Sequence, residues 1–189
     1  MDIVVTNLSK SFGENRVLDD FSATFTRDAP TWIMGPSGRG KTTLLYILMG
    51  LLRPDSGTVE GVPLHKSVVF QEDRLCEDFS AVSNVRLVCD KSVSDSQITR
   101  HLDDIGLGGS FRQPVGELSG GMKRRVALVR AILARSDILF LDEPFKGLDE
   151  DTKKATMAYV RDNLNGRTSI LVTHDPDEVT AFTGQLLTM

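Results

Sequence analysis

The sequence predicts an α/β fold: a mostly parallel sheet joined by crossover helices, with an inserted helical subdomain. Three observations carry this. Short β-branched and apolar segments alternate with longer helix-like stretches. Ile138–Leu141 is an uninterrupted apolar run, as expected for a strand covered on both faces. Gly35-Pro36-Ser37-Gly38-Arg39-Gly40-Lys41-Thr42 lies between a strand pattern and a helix pattern, the context a phosphate-binding loop requires.

In chain order, strands are expected at Ile3–Val5, Phe21–Phe25 and Trp32–Met34, followed by a helix at Thr43–Leu51 and a strand at Val68–Phe70. The pattern then changes. Asn84–Val88 and Ser94–Ile105 read as helices separated by a polar stretch, and Gly106, Gly108 and Gly109 end the second. Residues 72–117 are therefore expected to form a helical subdomain set into a core made of 1–71 and 118–189. A helix at Lys123–Ala134 follows, then strands at Ile138–Leu141, Ser169–Val172 and Leu186–Leu187.

The 189 residues suit one domain, large enough to bury roughly 70% of its unfolded surface without a disulfide or metal staple. Twenty-two Lys and Arg against 26 Asp and Glu leave a net charge of −4, which argues against a phosphate backbone as the main partner. Cys76 and Cys89 have no metal-binding spacing and read as reduced thiols. No basic-then-apolar leader opens the chain, and its longest apolar run, Leu44–Leu52, falls far short of the ~20 residues that span a bilayer.

The glycines of the phosphate loop let backbone N–H groups converge on an anion, and the following helix adds its free donors and partial positive charge. Lys41 is expected to reach the terminal phosphates and the Thr42 hydroxyl to ligate Mg²⁺. Asp142, at the carboxyl end of Ile138–Leu141, can also hold Mg²⁺, while Glu143 points elsewhere and suits the polarisation of an attacking water. Two acids after a strand are ordinarily a solvated turn; beside a phosphate loop they read as a pair. Thr168–Thr173 brings His174 to the same sheet edge, where an imidazole can bond the γ-phosphate. His65 and His101 read as solvated side chains.

Leu118-Ser119-Gly120-Gly121-Met122 opens the helical run Lys123–Ala134. A serine and two glycines at a helix start form a second anion receptor, although taken alone they would be an ordinary N-cap. One phosphate loop and one separate receptor per chain suggest that two copies share each nucleotide.

At this point the chain resembles the ATP-binding cassette (ABC) ATPases over nearly its whole length, which implies a P-loop NTPase core with a mostly parallel sheet, an N-terminal antiparallel β part and the inserted helical subdomain. Gly35–Thr42 is similar to the Walker A motif, with Thr43 next to it; Ile138–Glu143 to the Walker B motif with its catalytic glutamate; and Leu118–Met122 to the signature. Gln71 matches the Q-loop, Gly147-Leu148-Asp149 the D-loop and His174 the switch histidine. Phe12 matches an aromatic that stacks on adenine, a contact worth ~1–3 kcal/mol by analogy with base–aromatic stacking. The resemblance implies MgATP bound by Phe12, Gly35–Thr43, Ser119, Gly120, Gly121 and Asp149, with Thr42, Gln71 and Asp142 at the metal. Glu143, His174, Lys41 and Gln71 are implied as the catalytic set.

It further implies an ATPase subunit that dimerises on ATP and drives a separate transmembrane permease from the cytoplasmic face of the membrane. In the full system a solute-binding protein can join. The LSGGM signature and Glu143-Pro144-Phe145 resemble nitrate/sulfonate/taurine-type importers, although Leu75–Phe79 lacks that group's tryptophan and the sequence has no C-terminal helices after its last strand. Lys123, Arg124, Arg125, Arg130 and Arg135 read as the solvated or ion-paired face of a helix rather than a nucleic-acid surface. Glu72, Asp73, Glu77 and Asp78 read as a solvated loop that, by the resemblance, also meets the permease. The alternatives are a non-transport ABC ATPase, which would need long coiled-coil insertions, and a small-molecule kinase, which would lack the signature.

Overall fold

The computed structural model describes residues Met1–Met189. Strands β1 (Ile3–Phe12) and β2 (Asn15–Phe25) pair antiparallel across a tight turn at Gly13-Glu14. β3 (Pro30–Met34) leads through the glycine-rich loop into α1 (Lys41–Met49). β4 (Ser56–Glu60) returns to β1, completing an antiparallel sheet in the order β2-β1-β4. β5 (Lys66–Val69), α2 (Ala81–Arg86), α3 (Asp95–Asp104) and α4 (Gly120–Leu133) follow. Then come β6 (Ile138–Asp142), α5 (Glu150–Asn163), β7 (Thr168–Thr173), α6 (Pro176–Thr180) and β8 (Gln185–Thr188). The second sheet runs β5-β6-β7-β3-β8, and every pair in it is parallel.

β6 and β7 are buried along their whole lengths. Because side chains alternate across a strand, these continuous apolar runs supply two cores at once. Trp32, Leu139, Leu141 and Leu171 pack with the helices α2 to α5 on one face. Ile33, Ile138, Phe140, Ile170 and Val172 pack with α1 and the antiparallel sheet on the other. Residues 72–117 contribute Ala81, Val85, Ile98, Leu102 and Leu107 to the first of these cores, which they share with β6 and α4.

The parallel register aligns the carboxyl ends of the strands. Met34 stands opposite Thr173, Asp142 opposite Val172, and Val69 opposite Leu141. Whatever follows these strands therefore gathers along one edge, the usual ligand-binding edge of an open α/β sheet.

Several elements differ from the sequence expectation. β1 and β2 extend well beyond Ile3–Val5 and Phe21–Phe25, because the pairing runs on through register irregularities between Val5 and Ser11 that break the apolar alternation. β4 was not expected: its residues are almost all exposed, and its partner is an edge of β1. α5 and α6 were also not assigned, although both carry N-caps, Asp149 and Asp175, and α6 has proline in its first turn. α1 begins two residues before Thr43 and stops at a left-handed Gly50. α4 includes Gly120 and Gly121, with Ser119 as its cap.

Candidate functional site

The loop between β3 and α1 wraps an open cleft of about 470 Å³. Ser37, Gly38, Gly40, Lys41, Thr42 and Thr43 line it, with Phe12, Asn15 and Val17 on the antiparallel-sheet side and Gln71, Glu143, Lys146 and Val172 opposite. Gly40 sits at φ 86°, and a Cβ there would lie 2.8 Å from the Val17 carbonyl, so only glycine lets the loop close against β2. Phe12 is about half exposed, its ring available to a planar ligand, with the Lys10 ammonium 5.5 Å from its centre.

Lys41 is nearly buried and folds back across its own loop: Nζ donates to the Gly35 carbonyl at 2.7 Å and the Pro36 carbonyl at 2.8 Å. The cation thus waits where an anion would enter. Gly35, Pro36 and Arg39 belong to the same loop without facing the cleft.

Asp142, the last residue of β6, is 2% exposed, and its Oδ2 has no hydrogen-bond partner. Burial pushes its carboxyl above the usual range; the Thr42 hydroxyl, Lys41 and Arg124 offset only part of this, and the charge of Glu143 adds to it. A buried, incompletely satisfied carboxylate beside a threonine hydroxyl, with the Gln71 amide on the cleft wall, is a hard-oxygen donor set of the kind Mg²⁺ takes.

Glu143 follows in the left-handed region at φ 47°, a conformation that costs a non-glycine residue about 1–3 kcal/mol. Its N–H donates to the Val172 carbonyl at 3.0 Å, which helps hold the turn. The turn swings the side chain away from Asp142 and into the cleft, where Oε2 accepts from Lys146 Nζ at 2.6 Å and Oε1 faces His174 Nδ1 at 3.4 Å. Burial would raise the Glu143 carboxyl, but the Lys146 hydrogen bond and the neighbouring charges of Lys146 and His174 outweigh it and hold the group below the usual range.

His174 is supported from behind. Lys153 of α5 pairs with Asp175 and, at 2.9 Å, with buried Glu178, which also accepts the Thr173 hydroxyl at 2.7 Å. Burial works against the Lys153 charge, yet the two carboxylates outweigh it and push the ammonium up. None of Lys146, Lys153 or Glu178 stood out in the sequence. Lys146 had one legible cue, a cation three residues after Glu143.

Arg124 was read as part of a solvated or ion-paired helix face; it is ion-paired, with Asp73, but nearly buried rather than solvated. It donates to the Phe70 carbonyl at 2.7 Å and to the Gln71 carbonyl, and its Nε lies 3.2 Å from Asp73. It thereby pins the backbone that carries Gln71. Arg125 and Arg130 likewise bind main-chain carbonyls, of Ile105 and Gly106 and of Asp73 and Arg74. Glu77 lies 3.5 Å from Lys123, while Glu72 and Asp78 are exposed. His101 is not free in solvent either: its Nδ1 is 2.9 Å from the Tyr159 hydroxyl. His65 is exposed and 3.1 Å from Asp137.

Ser119, Gly120, Gly121 and Asp149 are absent from the cleft wall. They form a separate patch: Ser119 Oγ accepts the Met122 N–H at 3.3 Å, and a Cβ on Gly121 would lie 3.2 Å from the Leu148 side chain. A Cβ on Gly120 would meet nothing within 4 Å, so this helix start borders open space. Cys76 and Cys89 are free thiols, and no helix is long and apolar enough to cross a membrane.

The profile described as ABC transporter matches residues 18–146. The chain is 37% identical to the aliphatic sulfonates import ATP-binding protein SsuB 1 of Nocardia farcinica, over 99% of this chain and 77% of that one. It is 38% identical to SsuB 2 of Frankia alni, another aliphatic sulfonates import ATP-binding protein, over 99% and 76%. A bacterial ABC transporter cassette solved in a dimeric structure superposes with a TM-score of 0.85 at 26% identity, over 99% of this chain and 94% of that one.

Proposed function

The chain belongs to the ABC transporter family, and from that premise we propose that it is the ATP-hydrolysing subunit of an importer, working through a separate permease. The observation that carries the reading is the pair at the end of β6. Asp142 is buried and incompletely satisfied beside Thr42, and Glu143 is turned the other way into the cleft.

In this reading Phe12 stacks on adenine and the loop Gly35–Thr43 receives the phosphates, with Lys41 exchanging its two carbonyl partners for phosphate oxygens. Thr42, Asp142 and Gln71 would hold Mg²⁺, which supplies charge neutralisation at the phosphates. Glu143 orients the attacking water, and His174 holds both Glu143 and the terminal phosphate. Ser119, Gly120, Gly121 and Asp149 complete the site of a second copy, so ATP bridges two chains and its hydrolysis removes the bridge. The dimeric cassette to which the chain is similar supports that arrangement.

Gln71 borders both the cleft and a hollow of about 410 Å³ lined by Tyr46, Phe70, Glu72 and Arg74. That position suits residues 72–117 to pass nucleotide state to the permease from the cytoplasmic side. The names of the relatives favour an aliphatic sulfonate as the solute; delivery by a solute-binding protein belongs to the proposal alone.

Glu143→Gln tests the reading. It keeps the shape and removes the charge, so turnover should fall at least ~10²-fold, the scale of a positioned acid–base group, while ATP binding persists and ATP-bound dimer accumulates. Turnover close to wild type rejects the assignment.

A further inference from the structure

Lys146 has no part in the phosphate loop, the metal site or the receptor, yet it makes the shortest contact of the cleft's acidic residue. Its Nζ donates to Glu143 Oε2 at 2.6 Å, with the Lys146 side chain 50% exposed and Glu143 16% exposed. The other oxygen faces His174. Each carboxylate oxygen therefore faces a protein group, and the tighter contact, to the Lys146 ammonium, fixes how the carboxylate is turned. The spacing makes the contact local: the Lys146 N–H donates to the Glu143 carbonyl at 3.2 Å, so one turn of chain holds both residues. Lys146 also lines the phosphate cleft beside Ser37, Lys41 and Thr42, where a bound polyphosphate would compete for its ammonium.

We propose that Lys146 is a positioning residue that latches Glu143 in the nucleotide-free chain and must let go of it before water can be oriented. This rests on the reading of Glu143 as the water-orienting carboxylate. A half-exposed ion pair of this kind is weak, so the latch restrains turnover by a small factor, about twofold to fivefold. On its flexible four-carbon stem the ammonium divides its time between Glu143 and an arriving phosphate, so part of the restraint persists with ATP bound.

The full chain without a permease provides the test, at saturating ATP and Mg²⁺. Lys146→Met should raise kcat about twofold to fivefold and leave KM for ATP within a factor of about two. Lys146→Arg, which keeps the cation, should stay near wild type. The gain should vanish when Lys146→Met is combined with Glu143→Gln, because the latch acts only through that carboxylate. In the nucleotide-free protein, an amine-reactive label followed by mass spectrometry should modify Lys146 more slowly in wild type than in Glu143→Gln.

A Lys146→Met kcat at or below wild type overturns the latch. So does a raised KM with unchanged kcat, which would make Lys146 a phosphate contact with no hold on Glu143. Equal labelling in wild type and Glu143→Gln also overturns it. If Glu143→Gln itself turns over normally, the underlying reading of Glu143 has failed instead, and the two failures stay separable.

Discussion

Neutralising Asp142 should make the nucleotide-free chain more stable while removing its response to Mg²⁺ and ATP. Asp142→Asn keeps the size of the side chain, and its amide can donate to the Thr42 hydroxyl. The carboxylate is 2% exposed with an unpartnered oxygen, and leaving such a group unsatisfied costs about 1–3 kcal/mol. Thr42, Lys41 and Arg124 offset part of that, so the expected gain is about 1 kcal/mol, or roughly 2–4 °C in Tm for a chain of this size.

The pH dependence has a definite sign. The folded carboxyl is raised above its unfolded value of 3.8, so the folded chain holds the proton more tightly. Below 3.8 both states are protonated and the penalty is absent; it grows as pH rises from 3.8 to the raised folded value and is complete above it. The advantage of Asp142→Asn should be full at pH 8 and shrink as pH is lowered toward 4. Thermal melts read this directly, with and without ATP, Mg²⁺ and a chelator. Wild type should gain stability from MgATP and lose the gain on chelation, whereas the variant should gain little. A variant that melts at or below wild type at pH 8 without nucleotide would refute the argument that this carboxylate is held at a cost for a cation.

Two further perturbations test other parts of the site. Arg124→Met should cost about 3 kcal/mol, seen as a lower urea midpoint at unchanged slope, because it strands the Phe70 and Gln71 carbonyls and half-buried Asp73; an unchanged midpoint means the anchor contributes nothing. Mixing Lys41→Ala with Ser119→Arg chains should restore ATP occlusion in the mixed dimer, which then holds one intact site; mixed dimers that form but occlude no more than either homodimer refute action of Ser119 across the interface.

The sheet and the phosphate loop were legible because backbone geometry writes itself into sequence there. A strand covered on both faces must be apolar throughout, as Ile138–Leu141 is, and a loop that closes on β2 must place glycine at Gly40. The signals fade where conformation depends on a distant partner. β4 owes its existence to β1 rather than to its own residues. Arg124 looks like surface charge until the fold brings the Phe70 and Gln71 carbonyls to it, 54 and 53 positions away. The latch on Glu143 depends on a left-handed turn that no residue type announces, since glutamate rarely adopts it.

The sharing of one core by residues 72–117, α4 and β6 bears on how such a chain can be rebuilt. A segment bounded by two loops looks like an interchangeable part that could be exchanged between related cassettes. Here Val85, Ile98 and Leu102 are packed in the same interior as Val126, Leu128 and Leu139, so a transplant cut at the loops would carry half of a fitted interface and abandon the other half. A graft that respects the packing has to bring the inward face of α4 with it. Because Arg124 lies on that helix and grips the Gln71 backbone, the donor's own alignment of the cleft and the Gln71 loop would travel in the same piece.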